Sequence, residues 1–175
     1  MGMACKIMGV ILVIGSVCFF ATEANDTMNL RVKQLTRLHG ILRQLESELK
    51  YLSSTLPECF INLSRSAEYP FDRWLIDMAS SMDKCDMKDF SAIWCEHLGV
   101  LADNSALFPE DIDILLSFKD KLSGYDVEAC VRAIEFGIVQ IEERRKKLID
   151  EINEKKKMVI SLSLFVGLIT VILLF

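Results

Sequence analysis

The chain has 175 residues, 51% of them hydrophobic and 26% charged, with a net charge of −5. It is too apolar to be disordered and too short for several domains, which leaves one soluble domain with membrane anchoring. Nonspecific nucleic-acid binding is excluded as well, since it needs a basic footprint.

Ile7 to Ala21 is an uncharged apolar stretch. As a helix it rises about 22 Å, a spanning length only if the preceding residues join it and Lys6 snorkels to the interface. The same length suits a signal peptide, with Thr22 and Ala24 as the small residues of a cleavage site. Next, Leu35, Leu38, Leu42, Leu45, Leu49 and Leu52 advance by alternating steps of three and four, a heptad seam on a helix from about Thr27 to Ser53. Thr55-Leu-Pro-Glu58 reads as a capping box, with Pro57 tolerated in the first turn, opening a second helix to about Ala67. Pro70 opens a third, with Phe71, Trp74, Leu75, Met78 and Met82 on one face. A fourth runs from Asp86 as cap to Gly99 as stop and groups Phe90, Ile93, Trp94 and Leu98.

Pro109 starts a fifth helix with Ile112, Leu115, Leu116 and Leu122 on its apolar face, ended by Gly124. Asp126 then caps a last helix whose seam is Val127, Val131, Ile134, Ile138, Ile141, Leu148 and Ile152, broken at Arg145. This helix is predicted to continue unbroken into Met158 to Phe175, 18 uncharged residues that rise about 27 Å and match the hydrocarbon thickness of a bilayer. Ser163-x-x-x-Gly167 within it permits close contact between helices. The predicted fold class is all-α: a cytoplasmic helical bundle of residues 22–157 flanked by transmembrane helices 7–21 and 158–175. The two long helices pair antiparallel as a stalk, and four shorter ones close over its far end.

Orientation follows from lysine and arginine near the membrane ends. Arg144, Arg145, Lys146, Lys147, Lys155, Lys156 and Lys157 precede Met158, and Arg31, Lys33 and Arg37 follow Ala21, so the bundle is expected to face the cytoplasm with both termini outside. The alternative is a cleaved signal peptide and a tail-anchored, extracytoplasmic helical binding module. Of the six cysteines, Cys5 and Cys18 lie in or beside the first apolar stretch, while Cys59, Cys85, Cys95 and Cys130 lack paired spacing and are expected to be small buried hydrophobes.

No catalytic, metal or cofactor set emerges. His39 and His97 are predicted on different helices, Cys85 and Cys95 lack the spacing of a zinc site, and no strand precedes a glycine-rich loop. Glu142/Lys146, Glu143/Lys147 and Glu151/Lys155 read as i,i+4 pairs on a solvated face. A hydrolase would have to use the carboxylate cluster with a borrowed metal. Charge geography is more informative: residues 51–143 carry −11, whereas 22–50 carry +1 and 144–157 carry +4. The basic stretch suits anionic membrane lipid. The acidic body suits either solubility or docking of a basic cytosolic partner, with Asp103, Glu110, Asp111, Asp113 and Asp120 as candidate partner-binding residues.

QLTRLHGILRQLESELKY with TLPECF, then PEDIDILLSFKDKLSGYDVEACVRAI, and the ending KKKMVISLSLFVGLITVILLF resemble the stage III sporulation protein AB family of endospore-forming bacteria. The resemblance covers nearly the whole chain in the same order. Pro57, Glu58, Asp111, Leu115, Phe118, Leu122, Gly124 and Asp126 fall on the family's structural motif, while Lys119, Cys130 and Ser163 depart from its pattern. The resemblance implies a helical cytoplasmic domain similar to the inner-membrane platform protein of type II secretion systems. It implies a place in the mother-cell membrane facing the forespore, beside a cytoplasmic secretion-type ATPase and other stage III sporulation channel proteins. Association of the chain with itself stays open.

Overall fold

The computed structural model describes residues 2–51, 55–84, 90–122 and 126–174, with side chains from Asp26 onward except at 84, 163, 164, 166–168 and 170–174. Seven helices form: α1 (Gly2–Tyr51), α2 (Leu56–Ser64), α3 (Phe71–Lys84), α4 (Phe90–Asn104), α5 (Pro109–Leu116), α6 (Lys119–Leu122) and α7 (Val127–Leu174), with no strand among the described residues. The all-α expectation therefore holds.

Two compact units are present, residues 31–147 and residues 1–30 with 148–175. In the first, the middle of α1 and the start of α7 run antiparallel, for Arg31 and Arg144 both reach Asp111 while Lys50 lies 3.9 Å from Glu135. Both heptad seams supply core here, Leu35, Leu38, Leu42 and Leu45 from α1 and Val131, Ile134, Ile138 and Ile141 from α7. They are not a stalk beneath a separate cap, since these seam residues and α2–α6 belong to one unit.

The capping box forms at α2, where the Glu58 carboxylate accepts from the Thr55 amide and hydroxyl, each at 2.9 Å. An aromatic cluster lies at the heart of the bundle. Trp94 meets Trp74 edge-on at 5.6 Å and stacks with Phe90 at 5.7 Å. Its buried indole N–H donates to the Leu115 carbonyl at 2.8 Å, which pairs that group and fastens α4 to α5.

Several elements depart from expectation. α1 runs from Gly2 and joins the 7–21 stretch to the helix expected from about Thr27, because no glycine or proline falls between Gly15 and Gly40. α2 ends at Ser64, before Ala67. Gly99 does not stop α4, which continues to Asn104; the buried Leu98 and Leu101 on either side hold the turn, and Gly99 itself is exposed. The predicted fifth helix is two, α5 and α6, because the turn at Ser117 and Phe118 swings the Phe118 ring into the core. Ile114 is buried, whereas Leu116 is half-buried. On the seams, Leu49 is half-buried and Val127 is exposed. Leu52, Asp86 and Gly124 lie outside the described residues.

One contact shapes the path of α7. A Cβ on Gly137 would stand 2.2 Å from Phe118 Cζ, so only glycine lets the helix pass this close to the α5–α6 turn. Asp126 caps α7 as expected, its carboxylate accepting from the Ala129 amide at 3.1 Å.

In the other unit, the Lys155 ammonium lies 3.6 Å from Met28 Sδ. Met158, Ile160, Leu162, Phe165 and Ile169 are all exposed. Among the described residues no helix is long and apolar enough to cross a membrane. The side chains of 7–21 and most of 158–175, where the spans are expected, lie outside the described residues.

Candidate partner interface

Asp103, Glu110, Asp113 and Asp120 are exposed, at the end of α4, along α5 and on α6. Glu110 and Asp113 stand three residues apart and share one face of α5. Asp111, expected to join them, is the exception: its exposure is 0%. Its carboxylate takes a bidentate pair from Arg31, Nε to Oδ2 at 2.9 Å and Nη2 to Oδ1 at 3.0 Å, and Arg144 lies 3.8 Å away. Oδ2 also accepts from the Phe108 amide at 2.9 Å, which caps α5. A buried carboxylate needs such partners to offset the water it loses, so Asp111 fastens the start of α5 to both long helices and is not a docking surface.

The residues around this clamp were not found from the sequence. Gln34, buried on α1, accepts from the Ala106 amide at 2.6 Å. The Arg31 guanidinium lies over the Phe108 ring, 3.7 Å from its centroid. The segment 106–108 is thus tied at its first and last amides, while Phe108 stays 48% exposed. Arg31 and Phe108 are far apart in sequence, so no periodicity joins them; the available signal was an aromatic residue at a helix start, where a polar cap is usual.

The family-motif positions divide by role. Leu115, Phe118 and Leu122 are core residues, Glu58 and Asp126 cap helices, and Pro57 sits in the first turn of α2. Elsewhere, Arg145 fills the break in the α7 seam by donating twice to Glu142, at 2.8 Å each. Those bonds hold the Glu142 carboxyl down to about 2 and raise the Arg145 guanidinium in turn. Lys146 reaches Glu142 at 3.6 Å, as the i,i+4 spacing suggests. The cysteines are mixed: Cys59 and Cys130 are buried, but Cys95 is exposed, against expectation. Burial, reinforced by the Glu48 carboxylate, pushes the Cys59 thiol up to about 12. Burial also raises the Cys130 thiol, which donates to the Lys121 carbonyl at 2.9 Å. His97 meets the Ser81 hydroxyl at 2.9 Å, and no group of three metal-ligating side chains occurs among the described residues.

The family model described as stage III sporulation protein AB matches residues 6–175. No curated protein matches the chain. A solved structure of stage III sporulation protein AB shares its fold, with a TM-score of 0.64 at 18% identity over 71% of this chain and 97% of that one. A match that runs from Lys6 to the last residue, on an all-helical chain with that same fold, establishes that the chain belongs to the stage III sporulation protein AB family.

Proposed function

We propose that this sporulation protein is a non-enzymatic membrane platform that couples a cytoplasmic secretion-type ATPase to a channel formed during endospore development. The observation that carries the reading is the set of exposed carboxylates, Asp103, Glu110, Asp113 and Asp120, on helices of one packed unit. Such a surface presents negative charge to a basic partner, and it fits the resemblance to platform proteins of type II secretion systems. Membrane anchoring by 7–21 and 158–175 is supported by the exposed apolar run from Met158 and by the exposed lysines at 155–157 before it. In this reading the unit 31–147 faces the mother-cell cytoplasm, and both termini lie outside.

The test is reversal of Asp103, Glu110, Asp113 and Asp120 together, leaving Asp111 intact. ATPase association should weaken most at low ionic strength, and sporulation should stall with the protein at normal abundance. Unchanged association and unchanged spore yield would remove this surface from the mechanism. For topology, an impermeant thiol reagent should label a lone cysteine added after Phe175 in intact cells; labelling only after lysis would reverse the orientation.

A further inference from the structure

We infer that a cavity between α3 and α4 binds a small zwitterionic ligand, an aliphatic α-amino acid, through Arg73, Asp77 and the Trp74 indole. This site is separate from the carboxylates of the docking surface and stands or falls without them. The cavity has a volume of about 130 Å³, close to the roughly 150 Å³ of an engineered cavity that admits benzene. A side chain of a few carbons fits. Pro70, Trp74 and Leu101 make its buried apolar wall, and Tyr69 and Val100 stand exposed beside them.

The polar groups lining this cavity fall into two sets. Some are already engaged: the Tyr69 hydroxyl donates to Asn104 Oδ1 at 3.3 Å, Asn104 Nδ2 donates to the Val100 carbonyl at 2.8 Å, and His97 meets Ser81. The others are not. Arg73 and Asp77 are exposed on one face of α3, four residues apart, yet among the described residues neither makes a hydrogen bond or an ion pair. Trp74 is 6% exposed and its indole N–H has no acceptor, whereas the Trp94 N–H has the Leu115 carbonyl. Unpaired buried N–H groups are rare, so this one is informative. A simple anion entering the cavity would meet the Asp77 carboxylate as well as Arg73, and a simple cation would meet Arg73 as well as Asp77. A ligand carrying both charges satisfies both. Its carboxylate takes the planar Arg73 fork and gives the Trp74 N–H an acceptor, its ammonium pairs with Asp77, and its aliphatic group covers Leu101.

The test titrates L-valine into the full-length chain in detergent micelles and follows saturation transfer to the valine methyls by NMR, with protein-free micelles as the blank. Binding should saturate. Isovalerate, which lacks the ammonium, and L-valinamide, which lacks the carboxylate, should each bind about tenfold more weakly, the usual worth of a hydrogen-bonded charge. Arg73→Gln should erase the preference for valine over valinamide and keep that over isovalerate, and Asp77→Asn should do the opposite. Both side chains are exposed, so the melting temperature should hold in these two variants. Trp74→Phe keeps an aromatic ring, removes the N–H and should weaken valine binding; if it melts early, the two exposed variants decide. The site is overturned by valine giving no saturable transfer, by the three compounds binding alike, or by valine binding equally well to wild type, Arg73→Gln and Asp77→Asn.

Discussion

Helices α2 and α5 begin with nearly the same local device in very different surroundings. Each has an extended N-cap residue, Thr55 or Phe108, a proline in the first turn, and an acid three residues on that accepts the N-cap amide at 2.9 Å. Glu58 does this in the open, its carboxyl held below the usual range first by the Thr55 amide and then by the hydroxyl. Asp111 does it fully buried, with Arg31 arriving from 80 residues away and Arg144 behind. The motif positions a helix start in both places; a distant partner turns one of the two into a joint between helices. Equal caps, in short-range terms, need not have equal consequences.

The comparison can be broken most severely at Asp111. Asp111→Ala leaves the Arg31 guanidinium, its side chain only 12% exposed, without its partner, a loss of about 3–5 kcal/mol, read as a lower urea midpoint of the full-length protein. Replacing Arg31 by Met in the same chain should recover part of that loss, since the uncompensated charge goes with it. Next in size is Gly137→Ala, which drives a methyl into the Phe118 ring and should cost about 1–3 kcal/mol through overpacking. Thr55→Ala should cost about 1 kcal/mol, the usual worth of an N-cap. A loss at Thr55 as large as at Asp111 would erase the contrast between the two starts.

The smallest effect is a pH dependence. Glu58 and Glu142 both have folded carboxyls below their ordinary values, Glu142 at about 2. Unfolded glutamate titrates near about 4.3, so the stability contributed by each group is present above that pH and lost as pH falls. Glu58→Gln and Glu142→Gln should therefore flatten the acid limb of the stability curve and leave its slope above pH about 6 unchanged, as checked by thermal melts across the acid range.

What the sequence disclosed follows the range of the interactions. The capping pair at Thr55 and Glu58, the Asp126 cap and most seam residues are local or periodic, and they were legible. The end of α4 was not: glycine at 99 weakens a helix by about 1 kcal/mol, too little to end one held by Leu98 and Leu101. The division between α5 and α6 depends on where Phe118 finds space, and that space is made by Gly137 on another helix. Asp111 was misread for the same reason. Nothing in PEDID distinguishes the middle acid from its neighbours until Arg31 is brought beside it.

Gly137 has a consequence for how the bundle is assembled. Heptad seams are self-similar, so two seam-bearing helices can slip by a full repeat and still match leucine or isoleucine against leucine or isoleucine. The Phe118 ring breaks that degeneracy, because it needs a residue with no Cβ, and Gly137 is the one glycine between Gly124 and Gly167. A shift of α7 by one position would present Phe136 or Ile138 to the ring, and a shift of seven would present Cys130 or Arg144. The notch therefore acts as an index mark on α7, selecting a single axial register from those the seam alone would accept.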